Sequence, residues 1–145
     1  MEQTPFRPDL KILLIEDVAI TRKAEEAMLA KLGYTNVFSA QDGAAAWELL
    51  NNHHKSRRPF ELVISDWSMP EMSGLELLKK CRSDERFEKL PFLMVTARGE
   101  KGSVQAAAKF GVTNYIVKPV SPETLQEKIN RIFGLAGDGM DKTDG

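Results

Sequence analysis

FELVISDWSMPEMSG, residues 60–74, begins as a buried strand and ends at the mouth of a helix. Phe60, Leu62, Val63 and Ile64 form an apolar, partly β-branched run of strand length. Asp66 closes that run, with Trp67 beyond it and Pro70 and Gly74 soon after. A carboxylate at the rim of a hydrophobic core needs a reason. Asp is a favoured helix N-cap, but Pro70, Met72 and Ser73 separate Asp66 from the Leu75–Arg82 helix, and Ser73 is the better-placed cap. Asp66 is left for another role.

On both sides of this stretch, apolar runs alternate with helical periodicity. Ile12 to Ile15 read as a first buried strand, and Ile20, Ala24, Ala27, Met28 and Leu32 then follow helical spacing up to Gly33. Val37 and Phe38 mark a short second strand, followed by a helix carrying Ala46, Leu49 and Leu50. After the third strand, Leu62–Ile64, come a helix with Leu75 and Leu78, a strand Phe92–Val95, and a helix with Val104, Ala107 and Ala108 closing at Gly111. Tyr115–Val117 form the fifth strand, and Ser121-Pro122 open a last helix with Leu125, Ile129, Ile132 and Phe133 on one face. Five such units predict an α/β fold: a flavodoxin-like, doubly wound parallel sheet with right-handed crossovers. The natural strand order is 2-1-3-4-5, one of the two common doubly wound orders. The spacing predicts a polar lead-in over residues 1–8, one domain over 9–134, and a disordered tail over 135–145, which has little apolar content. Residues 51–59, NNHHKSRRP, read as a solvated basic loop, and adjacent His53 and His54 are poorly spaced to share a metal.

Composition excludes several classes. A chain of 145 residues buries about two thirds of its unfolded surface, enough for one core-bearing domain. Twenty Lys and Arg against 21 Asp and Glu give a net charge of −1, without the basic excess of a nucleic-acid binder. Cys81 is alone, so no internal disulfide forms, and a reducing cytoplasm is the expected location. The apolar runs are too short to span a bilayer, and MEQTPFRPDL lacks the pattern of a signal peptide.

Ligands of such sheets collect at the carboxyl ends of the strands, near the switch point between strands 1 and 3. Those ends carry Glu16-Asp17 on strand 1, Asp66 on strand 3, Thr96 on strand 4 and Lys118-Pro119 on strand 5. Three carboxylates would crowd one cleft, and each like-charge pair at ~4 Å costs about 4 kcal/mol at an effective dielectric near 20. A divalent cation removes that cost, and hard carboxylate oxygens with room for water suit Mg²⁺. Lys118 and Thr96 are placed to hold an incoming anion. Asp66 is then a plausible nucleophile toward a phosphoryl group, giving an aspartyl-phosphate helped mainly by positioning and charge neutralisation.

The pieces LLIED, VISDWSMPEMSGLELL, MVTA and NYIVKP, each ending a strand in the right order, resemble the receiver domain of two-component response regulators. The match spans about residues 9–134 and is most like the stand-alone chemotaxis regulators of that family. The resemblance implies that Asp66 is the phosphoacceptor and a Mg²⁺ ligand, that Asp17 binds Mg²⁺ directly, Glu16 mostly through water, and Ser68 through its backbone carbonyl. It implies that Thr96 and Lys118 contact the phosphoryl group, that Thr96 and Tyr115 form the switch, and that the Lys118-Pro119 bond is often cis. Glu16 in place of Asp is a common variation. Two positions depart from the chemotaxis prototype: Ser68 replaces Asn and Arg98 replaces Glu, both flanking the path of the attacking water. Phosphoryl lifetime therefore does not carry over.

The resemblance implies no classical enzyme but a phosphoacceptor with self-catalysed transfer and slow autodephosphorylation. Its donor is a histidine kinase or a histidine phosphotransfer protein, and its target a protein such as the flagellar motor switch. A soluble monomer is expected, without membrane or direct nucleic-acid contact. No DNA-binding segment is expected after residue 134, so a phosphorelay shuttle or a receiver excised from a larger hybrid protein stays open beside the stand-alone reading. A haloacid-dehalogenase-type phosphatase needs a D-x-D motif after its first strand, and a flavodoxin needs a Ser/Thr/Gly-rich phosphate loop there. EDVAITR, residues 16–22, supplies neither.

Overall fold

The computed structural model of the chain describes residues 5–97 and 101–135, excepting the side chains of 101–103. The Arg98 expectation, and the tail from 136 onward, lie outside the described residues. Strands and helices alternate along the chain: β1 (Ile12–Ile15), α1 (Ala19–Lys31), β2 (Val37–Ala40), α2 (Gly43–Lys55), β3 (Leu62–Asp66), α3 (Gly74–Arg82), β4 (Phe92–Thr96), α4 (Lys101–Lys109), β5 (Asn114–Val117) and α5 (Pro122–Phe133). The strands form one parallel sheet in the order β2-β1-β3-β4-β5, as the sequence predicts.

Every residue of β1, β3 and β4 is buried, because helices cover both faces of these central strands. The edge strands β2 and β5 are only partly buried. Alternate side chains feed two cores. Leu13, Ile15, Val63, Phe92 and Met94 pack with Leu50, Leu77, Leu78 and Cys81 on one face. Ile12, Leu14, Ile64, Leu93 and Val95 pack with Leu29, Leu125 and Ile129 on the other. Each fully buried Leu or Ile adds about 1.5–3 kcal/mol of transfer free energy.

Local chemistry sets the helix ends. Ser73 caps α3, accepting from the Glu76 N–H at 3.1 Å while Glu76 accepts from the Ser73 N–H at 2.8 Å, a reciprocal box. Asp42 caps α2 and Ser121 caps α5, with Pro122 in the first turn of α5. Gly111 takes φ +88° after α4, a conformation that costs glycine little.

Two expectations are corrected. The buried stripe of α1 is Glu25 and Leu29, with Met28 and Leu32 partly buried, while Ala24 and Ala27 are exposed and Ile20 is 82% exposed. At 100° per residue Ile20 points about 140° from Glu25, and the stripe follows the larger Met28, Leu29 and Leu32 rather than the small alanines. The predicted basic loop is instead the last turn of α2 as far as Lys55, because His53 packs its ring against Phe38 and Phe60, at 4.9 and 4.7 Å between centroids. At the chain ends, Phe6 of the lead-in packs on Tyr34 at 5.2 Å, and Leu135 is buried with the second core.

Candidate functional site

Register places the site. Ile15 pairs with Ser65, so Glu16 and Asp17 leave β1 beside Asp66, the last residue of β3. Asp66 pairs with Val95 and Thr96 with Val117, which brings Thr96 and Lys118 to the same rim. One carboxylate oxygen from each of Glu16, Asp17 and Asp66 lies within 4.8 Å of the others. The Lys118 ammonium contacts Asp66 Oδ1 at 3.0 Å, and the Lys118-Pro119 bond is cis.

The backbone beneath is tightly tied. Trp67 N–H donates to Val95 O at 2.9 Å, Gly74 N–H to Trp67 O at 2.8 Å, and Lys118 N–H to Thr96 O at 2.8 Å. Gly74 fits there because a Cβ would collide with the Asp66 carbonyl. Glu16 Oε2 accepts from the Val18 N–H at 3.0 Å, and Arg22 on α1 donates to the Glu16 carbonyl at 2.9 Å. The acids are thus fixed from below and from the side.

Electrostatics run against the charged forms of Asp66 and Glu16. Burial raises the pKa of Asp66, and the hydrogen bond and charge of Lys118 only partly offset it. Burial likewise raises Glu16, eased by the Val18 N–H and aggravated by Asp66. For Lys118, burial opposes the charge, but the Asp66 hydrogen bond and the charges of Asp66, Glu16 and Glu25 outweigh it and raise its pKa. Glu16 Oε1 is buried without a hydrogen-bond partner. Three hard oxygens at this spacing, with one of them orphaned, fit a divalent cation.

The other expected residues lie on neighbouring positions. Ser68 is exposed on the loop after β3. Thr96 is buried at 2% exposure, and Tyr115 is 37% exposed on β5 with the Lys128 ammonium 5.4 Å from its ring centroid. Sequence reasoning missed Glu25, 5% exposed on α1, which lines a cleft of about 460 Å³ together with Lys118. The available signal was a charge on the apolar stripe of Met28, Leu29 and Leu32. It also missed Arg22, for which a basic residue one turn into a helix gives no distinctive mark.

Residues 12–130 match the response regulator receiver domain. The chain is 42% identical over 125 residues to the chemotaxis protein CheY1 of Helicobacter pylori, covering 86% of this chain and 98% of that protein. It is 40% identical over 124 residues to the chemotaxis protein CheY of Pseudomonas aeruginosa, covering 86% and 96%. Among solved structures, the chemotaxis response regulator CheY4 of Vibrio cholerae superposes with a TM-score of 0.72 at 31% identity, covering 86% of this chain and 98% of that one. The receiver domain of a sensor histidine kinase of Pseudomonas aeruginosa, solved with a magnesium ion coordinated in its active site cleft, superposes with a TM-score of 0.73 at 26% identity, covering 87% and 98%. A receiver match over most of the length, with chemotaxis relatives at this identity and coverage, leaves one assignment: the chain belongs to the response regulator receiver domain family and is closely related to the CheY chemotaxis regulators.

Proposed function

We propose that this chain takes a phosphoryl group onto Asp66 with Mg²⁺ and thereby switches a protein-binding face, as a stand-alone regulator of chemotaxis type. The observation that carries the reading is Asp66 itself, 6% exposed, with two further carboxylates within 4.8 Å and one ammonium at 3.0 Å. A carboxylate oxygen of Asp66 attacks phosphorus of a phosphohistidine on a kinase or phosphotransfer protein. The P–N bond breaks, its electron pair stays on the imidazole nitrogen, and an acyl phosphate forms on Asp66.

Asp17 and Asp66, with Glu16 through water and the Ser68 carbonyl, would hold the Mg²⁺, which when bound supplies neutralisation of phosphoryl charge. Lys118 leaves its ion pair with Asp66 to take phosphoryl oxygens, and Thr96 offers its hydroxyl to them. Drawing Thr96 inward vacates space behind β4 that Tyr115 fills by changing rotamer, reshaping the face of α4, β5 and α5. The target is a protein surface such as the flagellar motor switch, reached in the cytoplasm by a monomer. The relatives' chemotaxis role supports this target over a relay partner.

Acetyl phosphate with Mg²⁺ tests the reading. Intact-mass measurement should find one added phosphoryl group on the parent and none on Asp66→Asn. Equal incorporation by Asp66→Asn would overturn the assignment.

A further inference from the structure

Glu25 has no part in the transfer just described, yet it occupies a costly position. It sits on the α1 stripe with Met28, Leu29 and Leu32, where an apolar side chain would pack better, and it is 5% exposed. Thr21, Ala24, Glu25 and Met28 form one wall of the 460 Å³ cleft, and Lys118 and Val120 help form the other. The ion pair of Lys118 goes to Asp66 at 3.0 Å, and the charges of Glu16 and then Glu25 act on the same ammonium from farther off. The pull of Glu25 on Lys118 acts across the cleft that both line rather than through an ion pair.

We propose that Glu25 is a positioning residue for Lys118: its carboxylate, in the cleft under α1, restrains the ammonium and slows its turn toward an incoming phosphoryl group. This rests on the reading of Asp66 as phosphoacceptor and of Lys118 as its phosphoryl contact. The charges that act on Glu25 are Glu16 at the end of β1, Asp66 at the end of β3 and Lys118 after β5. From α5, the side chains buried in the same core are the apolar Leu125 and Ile129. Burial, with the repulsion of Glu16 and Asp66, pushes Glu25 up to about 7 against the pull of Lys118. At pH 8 it is therefore mostly a carboxylate. In that form it competes for Lys118 and repels an anionic donor, and both effects slow transfer.

The test uses the full chain, Glu25→Gln, Lys118→Met and the double variant, all at pH 8. Without Mg²⁺, denaturant unfolding should show Glu25→Gln stabilising both backgrounds, and more so with Met at 118, where the buried carboxylate has lost its counter-charge. With Mg²⁺ and acetyl phosphate, Glu25→Gln should be phosphorylated several-fold faster than the parent. An equal stability gain in the two backgrounds, or an unchanged phosphorylation rate, overturns the proposal. A merely structural Glu25 would raise stability without moving either the coupling or the rate. If the parent accepts no phosphoryl group on Asp66, the functional reading fails, while the unfolding cycle still decides whether Glu25 holds Lys118.

Discussion

Asp66 and Glu16 are held above the ordinary carboxylate range by burial, and Lys118 is the cation in contact with their cluster. The hold of a metal there would depend on which oxygens are free to turn toward it. Glu16 has Oε2 on the Val18 N–H and only Oε1 left for a metal, so Asp17 is expected to carry more of the binding. Asp17→Ala should therefore lose most Mg²⁺ affinity and Glu16→Gln distinctly less. Trp67 emission, read in a Trp47→Phe background, reports the titration, and an unchanged affinity in Asp17→Ala would remove it from the site. A methyl group at position 74 meets the Asp66 carbonyl, so Gly74→Ala should cost about 1–3 kcal/mol by overpacking, measured by denaturant unfolding. At this scale the convergence of Glu16, Asp17, Asp66, Thr96 and Lys118 was legible, because each terminates a strand that the apolar pattern marks. Glu25 was not. Counting apolar residues cannot register a charged one that rides on the stripe they define.

Elements were more legible than the faces they present. The αβ alternation and the caps Ser73 and Ser121 follow from residue types alone, whereas the rotation of α1 depends on which side chains the sheet can accept. Ser73→Ala removes one side of the capping box and should cost about 1 kcal/mol, seen as a lowered denaturant midpoint. The end of α2 was misread because its anchor is tertiary. Lys11 donates to His53 Nδ1 at 2.7 Å and to the Arg58 carbonyl at 2.6 Å, with its ammonium 5.2 and 5.0 Å from the Phe38 and Phe60 ring centroids. An ammonium can only donate, so His53 must be neutral with Nδ1 unprotonated. Burial, and then the charge of Lys11, lower its pKa from 6.5. A folded value below the unfolded one means that this stabilisation is present above pH 6.5 and is lost as pH falls below it. Glu25, whose value is raised, changes stability in the opposite direction between 4.5 and about 7, so the comparison must be a difference. Parent and His53→Gln should diverge in stability above pH 6.5 and converge below it; parallel curves would show that His53 does not anchor α2.

For the molecule as a whole, the proposed outcome of phosphorylation is a reshaped face of α4, β5 and α5. Tyr115 is 37% exposed on the edge strand β5, with the Lys128 ammonium 5.4 Å from its ring centroid. A full shift of such a two-state surface from 1:99 to 99:1 needs about 5.5 kcal/mol of differential stabilisation by the phosphoryl group. Tyr115→Ala should bind a partner with weakened dependence on Mg²⁺-beryllofluoride. If the ring keeps one rotamer in both states and the variant responds like the parent, the signal leaves by another face.

The acids and the cation of the site stand on unequal ground. Glu16, Asp17 and Asp66 hang from β1 and β3, whose residues are wholly buried, while Lys118 follows the edge strand β5, of which only Ile116 is buried. Opening of a native protein proceeds from weakly protected margins inward. Amide hydrogens of β1 and β3 should accordingly exchange with deuterium orders of magnitude more slowly than those of β5 and of the turn after it. During such partial openings the carboxylate cluster keeps its shape and its counter-ion departs first, so the molecule's transient excursions are moments of excess negative charge, which a cation favours, and added Mg²⁺ should speed exchange in β5 relative to β1.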